Sequence, residues 1–314
     1  MKKWLLALVA VLVLALAACS GSDGEKNSGN SSEDKKQTET SSDTIIYESS
    51  KGPIEVPANP ERVVVLSSYA GDLIQLGVNI LGVDSWSANN PNFEEQLKDV
   101  PVVSNEDLEK IIELEPDLII GLDNINNADK LKEIAPTVLF TYGEYDYLQQ
   151  HIEVGKAVNK EAEATAWVED FKKRAADLGE KIKVKIGEDA TVTVVENYEK
   201  QFYLFGDNWG RGTEILYQAM GLKMPQKVQD VALEPGYFAI SQEVLGDYAG
   251  DYIVMSLVSE GQDTSFVDAD WYNEIDAVKN GHTFVADGQR FYFNDALSLD
   301  YQLSFFEESF LGNN

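Results

Sequence analysis

Residues 203–212 read YLFGDNWGRG. Trp209 offers a flat apolar face and one N–H, Arg211 a rigid fork of donors, and Tyr203 a hydroxyl six residues before the tryptophan. Such a set suits an oxygen-rich ligand: the rings cover its apolar parts and the guanidinium donates to its oxygens. A second interpretation stays open at the level of sequence, in which Trp209 packs on its own helix and Arg211 pairs with one of many carboxylates. Other chemistries are poorly supplied. His151 and His282 are the only histidines and Cys19 the only cysteine, too few for a bare transition-metal site and too few for an intramolecular disulfide. No G-x-S-x-G elbow, Walker loop or H-E-x-x-H occurs, and Asp268 and Asp270 in VDADW read as a turn rather than a catalytic pair. With 25 Lys+Arg against 54 Asp+Glu the formal charge is −29, which disfavours nucleic acid and anionic headgroups as partners.

The elements that must hold these residues follow from periodicity. RVVVLSS (62–68) is a buried strand, and DLIQLG a helix stopped by Gly77. VNILGVD is a strand, SNEDLEKIIELE a helix with Ser104 as its cap, and PDLIIG and APTVLFTY are further strands. Residues 146–187 hold no proline and place Ile152, Val158, Trp167, Phe171 and Leu178 as anchors, which predicts one helix and then a long one. ATVTVVE and FYLFG form strands through a short hairpin. GDNWGRG then opens into a helix over TEILYQAMG, and AISQEVLGDYAGDYIV parallels SNEDLEKIIELEPDLII. In both of the last two, a glutamate (Glu109, Glu243) lies eight residues before an aspartate that opens a strand (Asp117, Asp251). Strand–helix alternation predicts an α/β fold of two lobes, each a mainly parallel sheet flanked by helices, joined by a long stiff helix. The expected limits are 45–158 for the first lobe, 159–185 for the connecting helix and 186–314 for the second lobe.

The N-terminus predicts location. Lys2 and Lys3 precede the apolar run WLLALVAVLVLALAA, and Leu16-Ala17-Ala18-Cys19 matches the lipobox of bacterial lipoproteins. Residues 1–18 are therefore expected to be a signal peptide and Cys19 the lipidated first residue of the mature chain. Residues 20–44 contain no aliphatic or aromatic residue apart from the lipid-bearing cysteine before them, so 19–44 is expected to be a disordered tether.

A lipobox, a polar tether and two α/β lobes joined by a long helix resemble the class III substrate-binding proteins of bacterial ABC importers, over essentially the whole mature chain. Within that class, FGDNWGRGTEILYQAMGLKMP is similar to a segment of the ferric-hydroxamate siderophore-binding lipoproteins of Gram-positive bacteria. The resemblance implies a monomeric, non-enzymatic carrier, lipid-anchored on the outer face of the cell membrane, that delivers a ferric siderophore to a dimeric permease. Six siderophore oxygens already wrap the iron, so neither a cofactor nor a protein metal ligand is implied. Trp209, Arg211 and Tyr203 become the ligand-binding set, and the stretch GQRFYFND brings Tyr292 to the cleft. On the first lobe Tyr69, Trp86 and Tyr142 follow predicted strands, where α/β sites lie, with Tyr142 ranked first. Glu109 and Glu243 are expected to engage permease arginines. Few cations follow Ile186, which disfavours strongly anionic ferric catecholates; haem, cobalamin and, more remotely, an extracytoplasmic enzyme remain the alternatives.

Overall fold

A computed structural model describes residues 43–198, 201–258 and 263–312; the expected leader, Cys19 and most of the tether lie outside them. The described chain opens with an antiparallel hairpin of β1 (Thr44–Ser49) and β2 (Gly52–Pro57). A four-stranded sheet follows, with β3 (Val63–Val65), β4 (Ile80–Val83), β5 (Leu118–Leu122) and β6 (Thr137–Phe140) all parallel in the order β4-β3-β5-β6. Its strands are short apolar runs because both faces are covered. Val63 and Val65 feed one core with Leu73, while Val64 feeds another with Ile111 and Leu131.

The second sheet holds β7 (Val192–Tyr198), β8 (Gln201–Phe205), β9 (Tyr237–Ile240), β10 (Tyr252–Leu257) and β11 (Thr283–Asp287) in the order β11-β10-β7-β8-β9. β11, β10 and β7 run parallel, and the expected hairpin adds β8 and β9 antiparallel at one edge. Between the sheets run the helices Tyr147–Ala157 and Glu161–Ile186. At 1.5 Å per residue the second spans roughly 39 Å. Its first turn packs Ala164 into the first core, and Val168, Phe171, Leu178 and Ile182 then line the second. The C-terminal helix Ala296–Leu311 also joins both: Phe306 and Phe310 lie in the second core, while Leu297 packs on the first.

Three local expectations need correction. The helix expected from Ser104 begins only at Leu108, because Ser104 closes a preceding turn in which its carbonyl accepts from the Asp107 N–H. The helix after GDNWGRG is a π-helix, Glu214–Ala219, in which the Met220 N–H reaches back five residues to the Ile215 carbonyl. The segment carrying Glu243 is a 3-10 helix, Gln242–Asp247, where its counterpart carrying Glu109 is α-helical.

Candidate ligand-binding cleft

The loop 206–212 leaves the carboxyl end of β8 and is shaped by an unusual backbone. Gly210, Arg211 and Gly212 have φ of 69°, 59° and 79°, three consecutive left-handed residues. Glycine is needed at both flanks for a second reason. A Cβ at Gly210 would stand 2.6 Å from the Tyr292 carbonyl oxygen, and one at Gly212 would stand 2.6 Å from Phe306 Cζ. The Arg211 N–H donates to the Phe291 carbonyl at 2.6 Å, and the Gly210 N–H to Glu214 Oε1 at 2.9 Å. An arginine in this conformation costs about 1 kcal/mol or more and persists only where its surroundings dictate it.

Those surroundings are specific. Arg211 Nε donates to Glu196 Oε2 at 3.0 Å, Nη2 to Oε1 at 3.2 Å, and Nη1 to the Trp209 carbonyl at 3.1 Å. Its guanidinium carbon lies 4.7 Å from the ring centres of both Phe205 and Tyr292. The fork is thus fixed between two aromatic faces by a buried carboxylate at the end of β7. Of the five N–H groups of an arginine, three are engaged, leaving one on each terminal nitrogen. The pairing with a carboxylate that the sequence left open is therefore present, and it orients the remaining donors. Burial, reinforced by Glu196 and opposed by Arg211, pushes the Tyr292 hydroxyl up to about 12, so it stays a donor at neutral pH.

Trp209 is 40% exposed and lies edge-on to Tyr237, ring centres 5.4 Å apart, with its indole nitrogen over Gly236. Tyr203 lies 6.1 Å from the same Tyr237. The loop, β8 and β9 thus share one aromatic wall. On the first lobe, Tyr142 is 70% exposed and Trp86 is 65% exposed. Tyr142 and Trp209 line a common cavity of about 440 Å³, while Trp86 meets Tyr292 edge-on at 5.8 Å beside a hollow of about 240 Å³. Tyr69 is buried, and its ring packs on Phe140 while its edge reaches the larger cavity. Arg211 and Tyr203 line neither hollow; Tyr292 and Tyr237 stand between them and the open space.

Sequence reasoning missed Glu196, Phe205 and Tyr237. The two-residue spacing of Tyr203 and Phe205 on β8 was a usable signal for a shared face. Tyr237 is opposite Phe205 in the antiparallel register, a long-range pairing that no local pattern announces. A larger hollow of about 890 Å³ lies at the opposite end of the second sheet, beside Thr191, Asp251 and His282. Ligands of α/β folds sit at the carboxyl ends of strands, and the glycine-rich loop is there too, so the smaller cleft carries the assignment.

Two buried carboxyls form the floor between the lobes. Asp72 accepts from the Ala296 N–H at 3.0 Å and pairs with His151 Nδ1 at 2.9 Å, which commits that histidine to structure. Asp295 caps the C-terminal helix through the Ser298 N–H, and burial, with Asp72 beside it, pushes its carboxyl well above the usual range. Burial likewise raises Glu214, against the hydrogen bonds it accepts from Gly210, Asn294 and Thr213. Among the described residues no group of three or more His, Cys, Asp or Glu could hold a metal ion. Glu109 and Glu243 are both exposed, each in the first turn of its helix.

A family model described as "Periplasmic binding protein" matches residues 63–289. The chain belongs to that family. Among curated relatives, the iron(3+)-hydroxamate-binding protein YxeB of Bacillus subtilis (strain 168) is 36% identical, over 96% of this chain and 95% of its own. The iron(3+)-hydroxamate-binding protein FhuD of the same organism is 35% identical over 95% and 94%. Among solved structures, FhuD2 from Staphylococcus aureus with bound ferrioxamine B superposes with a TM-score of 0.74 at 36% identity, covering 80% of this chain and 98% of that one. Binding-protein architecture therefore accounts for the two lobes, the long helix and the cleft between the carboxyl ends of the two sheets.

Proposed function

We propose that this binding protein captures ferric hydroxamate siderophores outside the cell and hands them to the permease of an ABC importer. The observation that carries this reading is the near full-length similarity to two iron(3+)-hydroxamate-binding proteins. The cleft supports it chemically. Trp209, Tyr203, Tyr142 and Tyr292 supply aromatic cover, and Arg211 directs its two remaining donors at the oxygens around the iron. The cargo supplies its own six iron ligands, so the site needs shape and donors rather than a metal cluster, and no turnover is part of the role. In this reading the lobes are 45–158 and 186–314, joined by 159–185. Cys19 carries the lipid that holds a monomer at the outer face of the membrane, and Glu109 and Glu243 contact one permease subunit each.

The test is a titration of the purified chain with a ferric tris-hydroxamate, a ferric tris-catecholate, haem and cobalamin, followed by tryptophan fluorescence. Saturable quenching by the hydroxamate, with the others at least tenfold weaker, is expected. Tighter binding of any of the other three would replace the proposed cargo.

A further inference from the structure

The 440 Å³ cavity between Tyr142 and Trp209 has a charge pattern that covering iron-bound oxygens does not require. Five carboxylates line it: Glu144 and Asp146 at the exposed rim, and Asp72, Glu214 and Asp295 buried below. No Lys, Arg or His is among the described residues that line it. Elsewhere in this acidic chain buried carboxylates acquire cations: Glu196 has Arg211, and Glu153 has Lys156. Here none of the five makes an ion pair with a Lys or Arg among the described residues; Asp72 meets only His151, and the donors to Glu214 are neutral. A second observation is independent of the acid count. Asp295 is 4% exposed and lines this cavity, and its Oδ2 has no hydrogen-bond partner. Unpartnered buried oxygens are costly, and uncompensated buried charge more so. The walls between floor and rim are the rings of Tyr69, Tyr147 and Trp209, whose faces attract cations.

Building on the ferric hydroxamate reading, we propose that this cavity is a subsite for a protonated primary amine carried on an arm of the cargo. An ammonium brings three donors and no acceptor, which is what a carboxylate-rich, cation-free wall lacks. The space is adequate: a water takes about 30 Å³, so the cavity holds an alkylammonium arm together with a few waters. The subsite makes the protein a selector of cargo charge. Ferric hydroxamates ending in an ammonium gain affinity over neutral ones, and those ending in a carboxylate lose it.

The experiment compares one ferric linear trihydroxamate in three forms: with a free primary amine, with that amine acetylated, and with it succinylated. Affinities are measured at about 0.05 M and 0.5 M salt. The amine form is expected to bind about tenfold tighter than the acetylated form at low salt, in line with one charge-assisted hydrogen bond near the rim. The succinylated form is expected to be weakest, and the spread should narrow at high salt. In the double variant Glu144→Gln with Asp146→Asn, the ratio of amine to acetyl affinity should fall to about twofold or less. Asparagine preserves the cap that Asp146 provides to Leu148 and Gln149, so folding is not at issue. Equal binding of the amine and acetyl forms overturns the subsite while leaving hydroxamate capture intact, as does an unchanged ratio in the double variant. Failure of all three forms to bind overturns the functional reading itself, and the subsite with it.

Discussion

The two lobes are framed alike and finished differently. In the first, Asp117 stands just before β5 and accepts from the N–H groups of Glu61 and Arg62, where the chain enters β3. In the second, Asp251 stands just before β10 and accepts from the Thr191 N–H and hydroxyl, where the chain enters β7. The pairings Val63–Leu118 and Val192–Tyr252 make these aspartates equivalent. Four residues along from Val63 and Val192 the lobes part. The first has Ser67; the second has Glu196, buried and clasping Arg211. The shared brace lies at the amino ends of the strands and serves folding. The divergence lies at the carboxyl ends, where one lobe offers exposed rings and the other a fixed cation.

Removing the divergent feature should have the largest effect. Arg211→Ala is expected to weaken ferric hydroxamate binding about tenfold to a hundredfold, the worth of a charge-assisted hydrogen bond. Ser67→Ala at the equivalent place should stay within about twofold. Arg211→Lys should not restore affinity, because an ammonium cannot hold Glu196 bidentately and still face the ligand. Equal losses at positions 67 and 211 in fluorescence titrations would break the contrast.

Next in size is the seam, where Asp72 of one lobe meets Asp295 of the other. Asp295 is raised in the folded state, so folding takes up a proton, and its contribution is fully present below the unfolded carboxyl value of about 4. It is lost as pH rises through the elevated folded value. Asp295→Asn keeps the oxygen that caps Ser298 and removes that loss. The variant should therefore be more stable than the parent by on the order of 2 kcal/mol at pH 8, with the gap shrinking toward pH 5. Denaturant melts across that range that show a constant or widening gap on acidification would contradict the assignment.

The shared brace gives a smaller effect. Asp117→Ala and Asp251→Ala should each cost about 1 kcal/mol, and by similar amounts, since both remove two partly exposed hydrogen bonds. A severalfold difference between them in denaturant melts would deny the equivalence. The least effect on the isolated protein belongs to Glu109→Ala and Glu243→Ala. Cargo affinity should be unchanged in both while cellular uptake of the ferric hydroxamate falls; normal uptake by both variants would remove these residues from the permease contact.

The frame was readable because it is local. Val63, Val64 and Val65 announce a strand covered on both faces, and the proline-free stretch before Gly187 announces the connecting helix. The glycine-flanked arginine was readable as special. Its partner was not, since Glu196 lies at the end of an apolar strand and is chosen by a left-handed turn fifteen residues later. The π-helix also escaped, because TEILYQAMG has ordinary helical periodicity. Its backbone is set by the long helix, whose Gly179 lies so close to Met220 that a Cβ there would stand 2.2 Å from the Met220 carbonyl oxygen. Tyr142 and Trp209 share a cavity only through the docking of the lobes, which no periodicity encodes.

The left-handed turn at Gly210–Gly212 also fixes when the protein becomes competent. Its amide is held by the Phe291 carbonyl, its first glycine lies against the Tyr292 carbonyl, and its second faces the ring of Phe306. All three belong to the closing stretch of the chain, which reaches the loop only after most of the second lobe has been made. A chain emerging through a membrane can thus form both sheets and still lack an ordered Arg211. Maturation of the recognition loop is coupled to completion of the polypeptide, so nicking by a protease shortly before Phe291 should yield a body that stays folded in its first lobe and is blind to cargo.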